Sequence, residues 1–318
     1  MSSSTQITGQ LAPPRVEEVS TGIYAYIQPD GTWWINNTGF LVGARRVVAV
    51  DACATEARTR AFLSAIAATA GGRAVRTLVN THHHGDHTHG NYLFGDATIV
   101  AHERCREEIL AEGPPGTSKL VSSGTWTDVA WGEIETAPPF LTYTDRVSLY
   151  VDELRCEVIH VGTPAHSTND SIVWIPERRA LFAGDLLFNG GTPFLLAGSV
   201  TGAISAVGAL KELDAQTIVP GHGPVCGPEV IDRVLAYLTF VLDLARAGTD
   251  AGLPPLEAAR AADLGEFAEL TDPERLAGNL HRAYAELAGA APGASIDTGA
   301  ALADMIAYNG GRPLTCQA

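Results

Sequence analysis

The sequence is poor in basic residues. Its 318 residues include 21 lysines and arginines against 36 aspartates and glutamates, which gives a formal net charge of −15. A negatively charged surface repels the phosphate backbone of nucleic acids, so nucleic acid is not expected as a partner. Hydrophobic residues make up 46% of the chain and charged residues 18%, which is enough apolar material for a large core and excludes a disordered chain.

Long apolar runs are also missing. Residues 186–210 carry no charge, but Asn189, Pro193 and several glycines interrupt them, so we expect no membrane span. The first ten residues have neither a basic segment nor an apolar core, so no secretory signal is expected. Cysteine is scarce, and the five cysteines are odd in number and scattered, which is typical of reduced thiols in a cytoplasmic protein.

Short apolar runs alternate with helical patterns through the first two thirds of the chain. Residues 1–16 are expected to form a loose arm ahead of them. The pattern predicts a helix over 55–70, and alternation of strands with helices indicates an α/β fold. The predicted strands are 47–50, 75–79, 98–101, 146–151, 155–161, 171–175, 180–183 and 217–219.

From about residue 228 the apolar residues recur at helical spacing. Further helices are predicted at 255–262, 276–289 and 298–307. The sequence therefore predicts an α/β domain over 17–227 and a helical extension over 228–318 that packs back on it.

Inside the first domain, residues 113–140 are rich in Gly, Pro, Ser and Trp, and their apolar residues follow neither helical nor strand spacing. Such a stretch in a compact domain is usually functional, and its tryptophans favour a covering loop.

Five of the ten histidines fall within residues 82–89, directly after the predicted strand 75–79. The carboxyl ends of strands are where α/β folds place their chemistry. His82 and His84 stand two apart in an extended segment and can turn toward one point, while Asp86 and His87 can face a second. Imidazoles and carboxylates at this density suit zinc or a similar divalent ion.

Three more residues of the ligand type stand at strand ends. His166 follows the strand 155–161, Asp185 ends the strand 180–183, and His222 follows the strand 217–219. Glycine or proline flanks each of them, which keeps a side chain on a tight turn at the rim of a sheet. Asp51 ends the strand 47–50, and two roles are open for it. It is either an acceptor for a metal-bound imidazole or the N-terminal cap of the next helix.

These motifs resemble the signature of the metallo-β-lactamase fold superfamily, over about residues 20–228. The resemblance implies an αββα sandwich, in α/β (α+β) class, with a metal site between two mixed sheets and here a C-terminal helical extension. It implies two divalent ions, with Zn²⁺ favoured and Mn²⁺ or Fe²⁺ left open, and catalytic roles for Asp86 and Asp185. By position, one ion is held by His82, His84 and His166 and the other by Asp86, His87 and His222, with Asp185 bridging them.

Three segments outside the ligand motifs, at 129–139, 192–199 and 307–316, resemble the second-ring cyclases of aromatic (type II) polyketide pathways. This resemblance implies aldol ring closure and dehydration of a carrier-bound polyketide, with release by thioester hydrolysis. The expected partner is then an acyl carrier protein-bound or free polyketide, docked through a local basic patch. Candidate patch residues are Arg45, Arg46, Arg178 and Arg179, and candidate substrate-lining residues are Trp126, Trp131, Phe188, Phe194 and Tyr308.

Two other functions stay open from the sequence. One is a generic dinuclear metal hydrolase of a small thioester, ester or lactone, similar to glyoxalase II or a lactonase. The other is a catalytically idle metal-binding scaffold, which seven intact ligand positions disfavour. Diiron flavoprotein reductases of this fold typically have Glu where this chain has His84, and a β-lactamase usually acts outside the cytoplasm. Homo-oligomerisation is left open by the sequence.

Overall fold

The computed structural model describes residues 11–115 and 125–318. The strands are β1 (Arg15–Ser20), β2 (Ile23–Ile27), β3 (Thr38–Val42), β4 (Val47–Val50), β5 (Val75–Val79), β6 (Thr98–His102), β7 (Leu141–Tyr143), β8 (Arg146–Val151), β9 (Leu154–His160), β10 (Ser171–Ile175), β11 (Ala180–Phe188) and β12 (Thr217–His222). The α-helices are α1 (Glu56–Thr69), α2 (Gly85–Thr88), α3 (Glu103–Glu112), α4 (Val200–Ala209), α5 (Glu229–Asp250), α6 (Pro255–Ala261), α7 (Arg275–Leu287) and α8 (Thr298–Tyr308). Short 3₁₀ turns lie at His89–Phe94, Pro176–Arg178, Leu210–Leu213 and Gly265–Phe267.

The strands form two mixed sheets. The first has the order β1-β2-β3-β4-β5-β6-β7, with antiparallel pairing up to β4 and parallel pairing from β4 to β7. The second has the order β12-β11-β10-β9-β8, and its β11–β12 pair is parallel. The predicted α/β class with two sheets is confirmed.

Alternation along the central strands builds the layers. In β4, Val48 and Val50 face the core between the two sheets, while Val47 and Ala49 face the core under α1. In β11 the residues likewise alternate between the inter-sheet core and the helices on the outer face of the second sheet. Because side chains of a strand point to opposite faces in turn, each buried sheet carries two apolar faces and needs cover on both. The result is the predicted αββα sandwich.

The bounds of the predicted arm and of two predicted strands need correction. β1 begins at Arg15, so the expected loose arm over 1–16 overlaps a strand, and residues 1–10 lie outside the described part of the chain. β11 does not end near Asp185 but continues to Phe188, because its register with β12 shifts at Gly184 and the strand resumes beyond it. β12 likewise runs on to include His222.

The C-terminal helices cover the outer face of the second sheet. Ile231, Val234, Leu238 and Val241 of α5 are buried in one apolar cluster with residues of β11 and α7. The helices predicted from residue 228 onward are therefore present, and they pack back on the sandwich. Among the described residues, no helix combines the length and the apolar character that a bilayer crossing requires.

A buried arginine ties α7 to the loop that follows β11. The guanidinium of Arg282 is 2% exposed and donates to the carbonyl oxygens of Leu196 and Ala294. Such a group keeps its charge buried only while these acceptors surround it. Arg282 therefore fastens the loop over the second sheet to the C-terminal helices.

We expect Arg282→Leu to lower the free energy of unfolding by about 3 kcal/mol, because two buried carbonyls lose charged donors. Arg246→Leu is the matched control, since Arg246 forms an exposed pair with Asp243 whose loss costs about 0.5 kcal/mol or less. Urea unfolding of both variants measures the difference. Equal midpoints would show that the buried bonds of Arg282 contribute nothing beyond a surface pair.

Candidate metal centre

The predicted ligands meet at the seam between the two sheets. His82, His84, Asp86 and His87 follow β5 and lie in or beside the single turn of α2. The other three come from the second sheet: His166 follows β9, Asp185 lies within β11, and His222 ends β12. His84 is partly buried, and the other six are buried.

The first ligand set consists of His82, His84, His166 and Asp185. His84 Nδ1 lies 3.1 Å from His82 Nε2 and 2.7 Å from His166 Nε2. His166 Nε2 lies 3.3 Å from Asp185 Oδ2. Three imidazole nitrogens and one carboxylate oxygen thus face a common point.

The second ligand set consists of Asp86, His87, Asp185 and His222. His222 Nε2 lies 3.3 Å from Asp86 Oδ2 and 3.3 Å from Asp185 Oδ2. His87 Nε2 lies 3.6 Å from Asp86 Oδ2 and 3.0 Å from Asp185 Oδ1. Asp185 belongs to both sets, as expected of a bridging carboxylate.

The donor atoms fit divalent metal ions. Tetrahedral zinc ligands at about 2.0–2.1 Å from the ion stand about 3.3–3.4 Å from each other, and most of the donor separations are close to this value. His87 Nε2 and Asp185 Oδ1 are also buried without a well-aligned hydrogen-bond partner. A buried polar atom left in this state is costly unless it serves a ligand. The residues present therefore fit two metal ions, and the imidazole and carboxylate donors suit zinc among others.

Protonation states follow from burial and from neighbouring charge. Burial lowers the pKa of His82 and His84 well below the ordinary imidazole range, and adjacent imidazoles add to this effect. Both side chains are therefore neutral, as metal ligands must be. Burial also acts to lower the pKa of His222. The carboxylates of Asp185 and Asp86 outweigh this effect and raise the pKa to about 9. Metal binding there releases a proton and so strengthens as the pH rises toward that value.

Hydrogen bonds to the far ring nitrogens orient the imidazoles. Four acceptors serve four ligands: Asp51 Oδ2 lies 2.9 Å from His87 Nδ1, Thr81 Oγ1 3.1 Å from His82 Nδ1, Gly31 O 3.0 Å from His222 Nδ1, and Phe194 O 2.5 Å from His166 Nδ1. An acceptor at this position fixes which nitrogen carries the proton and leaves the other free to bind metal.

Asp51 has the first of its two predicted roles. Its carboxylate accepts from His87 and from both the backbone N–H and the hydroxyl of Thr81. The cap of α1 is Thr55, which accepts from Arg58 N. The helix-cap interpretation of Asp51 was therefore wrong, and Asp51 holds the ligand segment instead.

Gly221 leaves the space that Asp185 needs. A Cβ atom at residue 221 would lie 1.9 Å from Asp185 Oδ1, and nearby atoms of the Gly184–Asp185 peptide are less than 3 Å away. No side chain fits between β11 and β12 at this point. The glycine ahead of His222 is thus required by the bridging carboxylate rather than by the turn alone.

The ligand sets open into a cavity of about 610 Å³. Its wall is mostly aromatic and aliphatic, and Arg275, Glu108 and Glu112 supply charged groups. The apolar residues of the wall are Trp33, Trp34, Phe188, Phe194, Leu196 and Leu302.

The aromatic candidates from the sequence divide into two groups. Phe194 and Phe188 line the cavity, but Trp126, Trp131 and Tyr308 are absent from its described wall. Trp126 packs behind Trp33 and Trp34 at ring distances of 5.3 and 5.4 Å, and Trp131 packs against Trp34 at 4.8 Å. These two tryptophans of the stretch 113–140 support the wall from behind. Residues 116–124 of that stretch lie outside the described part of the chain, so its covering role stays a prediction.

The sequence interpretation missed Trp33, Trp34 and Arg275. Trp33 forms a T-shaped pair with Phe194, with ring centres 5.0 Å apart. The Arg275 guanidinium lies 4.1 Å from the centre of the Trp33 ring. Two consecutive tryptophans in a chain with five are a signal that could have drawn attention. Arg275 carried no such signal, because it lies in the C-terminal helices, far along the chain from the ligand motifs.

We expect the purified protein to hold two divalent ions per chain after metal loading, because two complete ligand sets are present. His222→Ala should hold about one, since the second set loses a ligand while the first keeps all of its own. His281→Ala is the control, because His281 pairs with Asp304 outside both sets. Elemental analysis of the three proteins provides the test. One ion or none in the loaded parent protein would refute the two-metal centre.

Comparison with known proteins agrees with this geometry. Hydroxyacylglutathione hydrolase from Rhodospirillum rubrum is 30% identical over 214 residues, which cover 66% of this chain and 67% of that protein. The alpha subunit of 2,4-dinitroanisole O-demethylase from Nocardioides sp. strain JS1661 is 27% identical over 211 residues. That match covers 65% of this chain and 55% of the subunit, so the chain spans little more than half of that relative.

Structural similarity extends to nearly the whole of a solved enzyme. A metallo-beta-lactamase from Pontibacter korlensis superposes with a TM-score of 0.59, covering 71% of this chain and 99% of that one at 17% identity. Identity this low shows a common fold and nothing about substrate.

A sequence model of the metallo-beta-lactamase superfamily matches residues 31–222, which is more than half of the chain and ends at the last predicted ligand. The chain therefore belongs to the metallo-beta-lactamase superfamily.

Proposed function

We propose that this protein is a metal-dependent thioesterase for a bulky, apolar acyl group. The observation that carries the proposal is that members of both ligand sets line the same cavity as a group of aromatic side chains. A volume of about 610 Å³ is within the range of cavities that enclose a drug-sized molecule. Relatives named as hydroxyacylglutathione hydrolases support thioester cleavage over other uses of the fold.

The chemistry divides between the metal ions and the side chains. When bound, two divalent ions polarise a carbonyl oxygen and make water acidic enough to act as a nucleophile at neutral pH. Asp86 and Asp185 both border the cavity, so their carboxylates would be available there to accept a proton. Burial acts to raise the pKa of Asp86, but the adjacent His87 and His222 outweigh it and lower the pKa. Asp86 is therefore ionised and able to accept a hydrogen bond from the attacking water.

The charges of the described cavity wall argue against glutathione as the leaving group. Glu108 and Glu112 of α3 border the cavity, and Arg275 is already paired with Asp272 at 2.8 Å. Glutathione carries two carboxylates, which such a wall would repel at short range. The wall instead favours a neutral or apolar substrate, so the proposal differs in leaving group from the activity that the relatives' names describe.

His84→Ala should reduce turnover of an aromatic acyl thioester to the rate without enzyme, because the first ligand set loses its central nitrogen. The fold should persist, since His84 is at the cavity surface and not in an apolar core. Release of free thiol from N-acetylcysteamine and glutathione thioesters, followed with circular dichroism of each variant, measures this. Faster cleavage of the glutathione thioester by the parent protein would contradict the proposed leaving group.

Leu302→Trp should lower kcat/KM for a naphthoyl thioester by about tenfold or more, because it fills part of the cavity wall formed by α8. Acetyl thioester should be cleaved at the parent rate, since it does not reach that wall. Leu253→Trp is the control, because Leu253 is 38% exposed and does not line the cavity. Equal losses for both substrates would show that the cavity does not hold the acyl group.

A second candidate function is ring closure of a carrier-bound aromatic polyketide before release. The aromatic rings of Trp33, Trp34 and Phe188 in the cavity wall support it, because a polycyclic acyl chain can stack on such rings. The suggested docking arginines do not support it. Arg45 and Arg46 lie between β3 and β4, and Arg178 and Arg179 lie before β11, at the strand ends opposite Asp51 and Asp185.

Reconstitution separates the two candidates. The protein is combined with a minimal aromatic polyketide synthase and a first-ring cyclase, with His84→Ala as the control. A new dehydrated multicyclic product, detected by mass spectrometry only with the intact protein, is expected for the cyclase. If the product profile is unchanged and the protein still cleaves aryl thioesters, ring closure is excluded and thioester hydrolysis remains as the supported function.

A further inference from the structure

Helix α7 carries a buried polar stripe. Arg275, Asn279 and Arg282 recur at i, i+4 and i+7, the spacing that places side chains on one face of a helix. Each is 2% exposed or less, although the face of a helix turned to a core is usually apolar. Buried polar groups of this kind persist when they have specific partners.

Each of the three side chains donates to the main chain of residues 192–196. Arg275 Nη1 donates to Thr192 O at 3.0 Å, and Arg282 donates to Leu196 O through Nε and Nη2. Asn279 makes two bonds to this segment: Nδ2 donates to Pro193 O at 2.8 Å, and Oδ1 accepts from Leu195 N at 2.9 Å. Because the bonds go to backbone atoms, the stripe fixes the path of the segment.

Phe194 stands between the two bonds of Asn279. Its own carbonyl oxygen accepts from His166 Nδ1 at 2.5 Å. Since peptide units are planar, holding the carbonyl of residue 193 and the N–H of residue 195 restricts the direction of the carbonyl of residue 194. That carbonyl in turn sets the ring of His166, whose Nε2 faces the first ligand set.

We propose that Asn279 is a positioning residue for the first metal ion, acting on His166 through the Phe194 carbonyl. The C-terminal helices thereby complete a ligand set whose members all lie at least fifty residues earlier in the chain. The inference depends on the metal centre and not on the substrate, so failure of the thioesterase assays leaves it intact. Partners of this outer kind typically change metal affinity by about 10–100-fold when they are removed.

The test measures zinc affinity in a His222→Ala background, where the first ligand set is the complete one. Full-length protein with and without Asn279→Ala is titrated against a chromophoric chelator. We expect Asn279→Ala to weaken binding by about 10–100-fold. In the zinc-loaded protein labelled with ¹⁵N-histidine, the Nδ1–H signal of His166 should broaden through faster exchange with water, because its acceptor is no longer held.

Ile66→Ala in the same background is the matched control. Ile66 is buried under the first sheet in α1, away from both ligand sets, so its truncation lowers thermal stability without touching the loop at 192–196. Zinc affinity that falls equally in both variants, or in neither, would overturn the proposal and reduce Asn279 to a contributor to stability.

Asn279→Asp covers the case in which Asn279→Ala does not fold. Aspartate keeps the acceptor for Leu195 N–H and loses the donor to Pro193 O, so it removes one of the two bonds beside Phe194. We expect a loss of zinc affinity with the same broadening of the His166 signal. Parent affinity together with an unchanged signal would overturn the proposal.

Discussion

Seven candidate ligand side chains, six of them buried and one partly buried, meet at one point, and the rest of this structure depends on that constraint. Imidazoles and carboxylates at 2.7–3.6 Å from each other repel or desolvate one another unless metal ions and outer hydrogen bonds hold them. No single element can supply such a group. The strand ends of two sheets supply it together, and the backbone adapts to it. β11 shifts register at Gly184, and Gly221 leaves room for a carboxylate oxygen.

The candidate ligands and part of the cavity wall come from different parts of the chain. All seven ligands lie within residues 31–222, the part that matches the superfamily, and this region holds the reactive centre. Leu302 and Arg275 of the cavity wall lie beyond it, in the C-terminal helices. The part of the wall outside the matched region is where this chain can differ from relatives of about 30% identity, and the proposed preference for an apolar substrate depends on it.

The structure brings together the seven residues that the sequence predicted as metal ligands, and four of them have a local signal. His82, His84, Asp86 and His87 stand close together after one strand, whereas the αββα layers around them were expected from the resemblance to the superfamily and not from the strand pattern. The cavity wall was predicted poorly because its contacts are distant along the chain. Trp33 donates to Glu274, a pairing across 241 residues that no periodicity can reveal. Trp126 was predicted at the wall, but an aromatic side chain in a loop gives no sign of which side of a neighbouring tryptophan it will occupy.

The hydrogen bonds between α7 and residues 192–196 also bear on the order in which the molecule is assembled. Synthesis proceeds from the amino terminus, so every metal ligand leaves the ribosome before Asn279 does. A nascent chain can then present a full set of imidazoles and carboxylates while the loop beside His166 still lacks its anchor. If Asn279 positions His166 as proposed, the centre is completed only after α7 has been made, and a chain interrupted after residue 228 would carry every candidate ligand without the residue that holds the carbonyl beside His166.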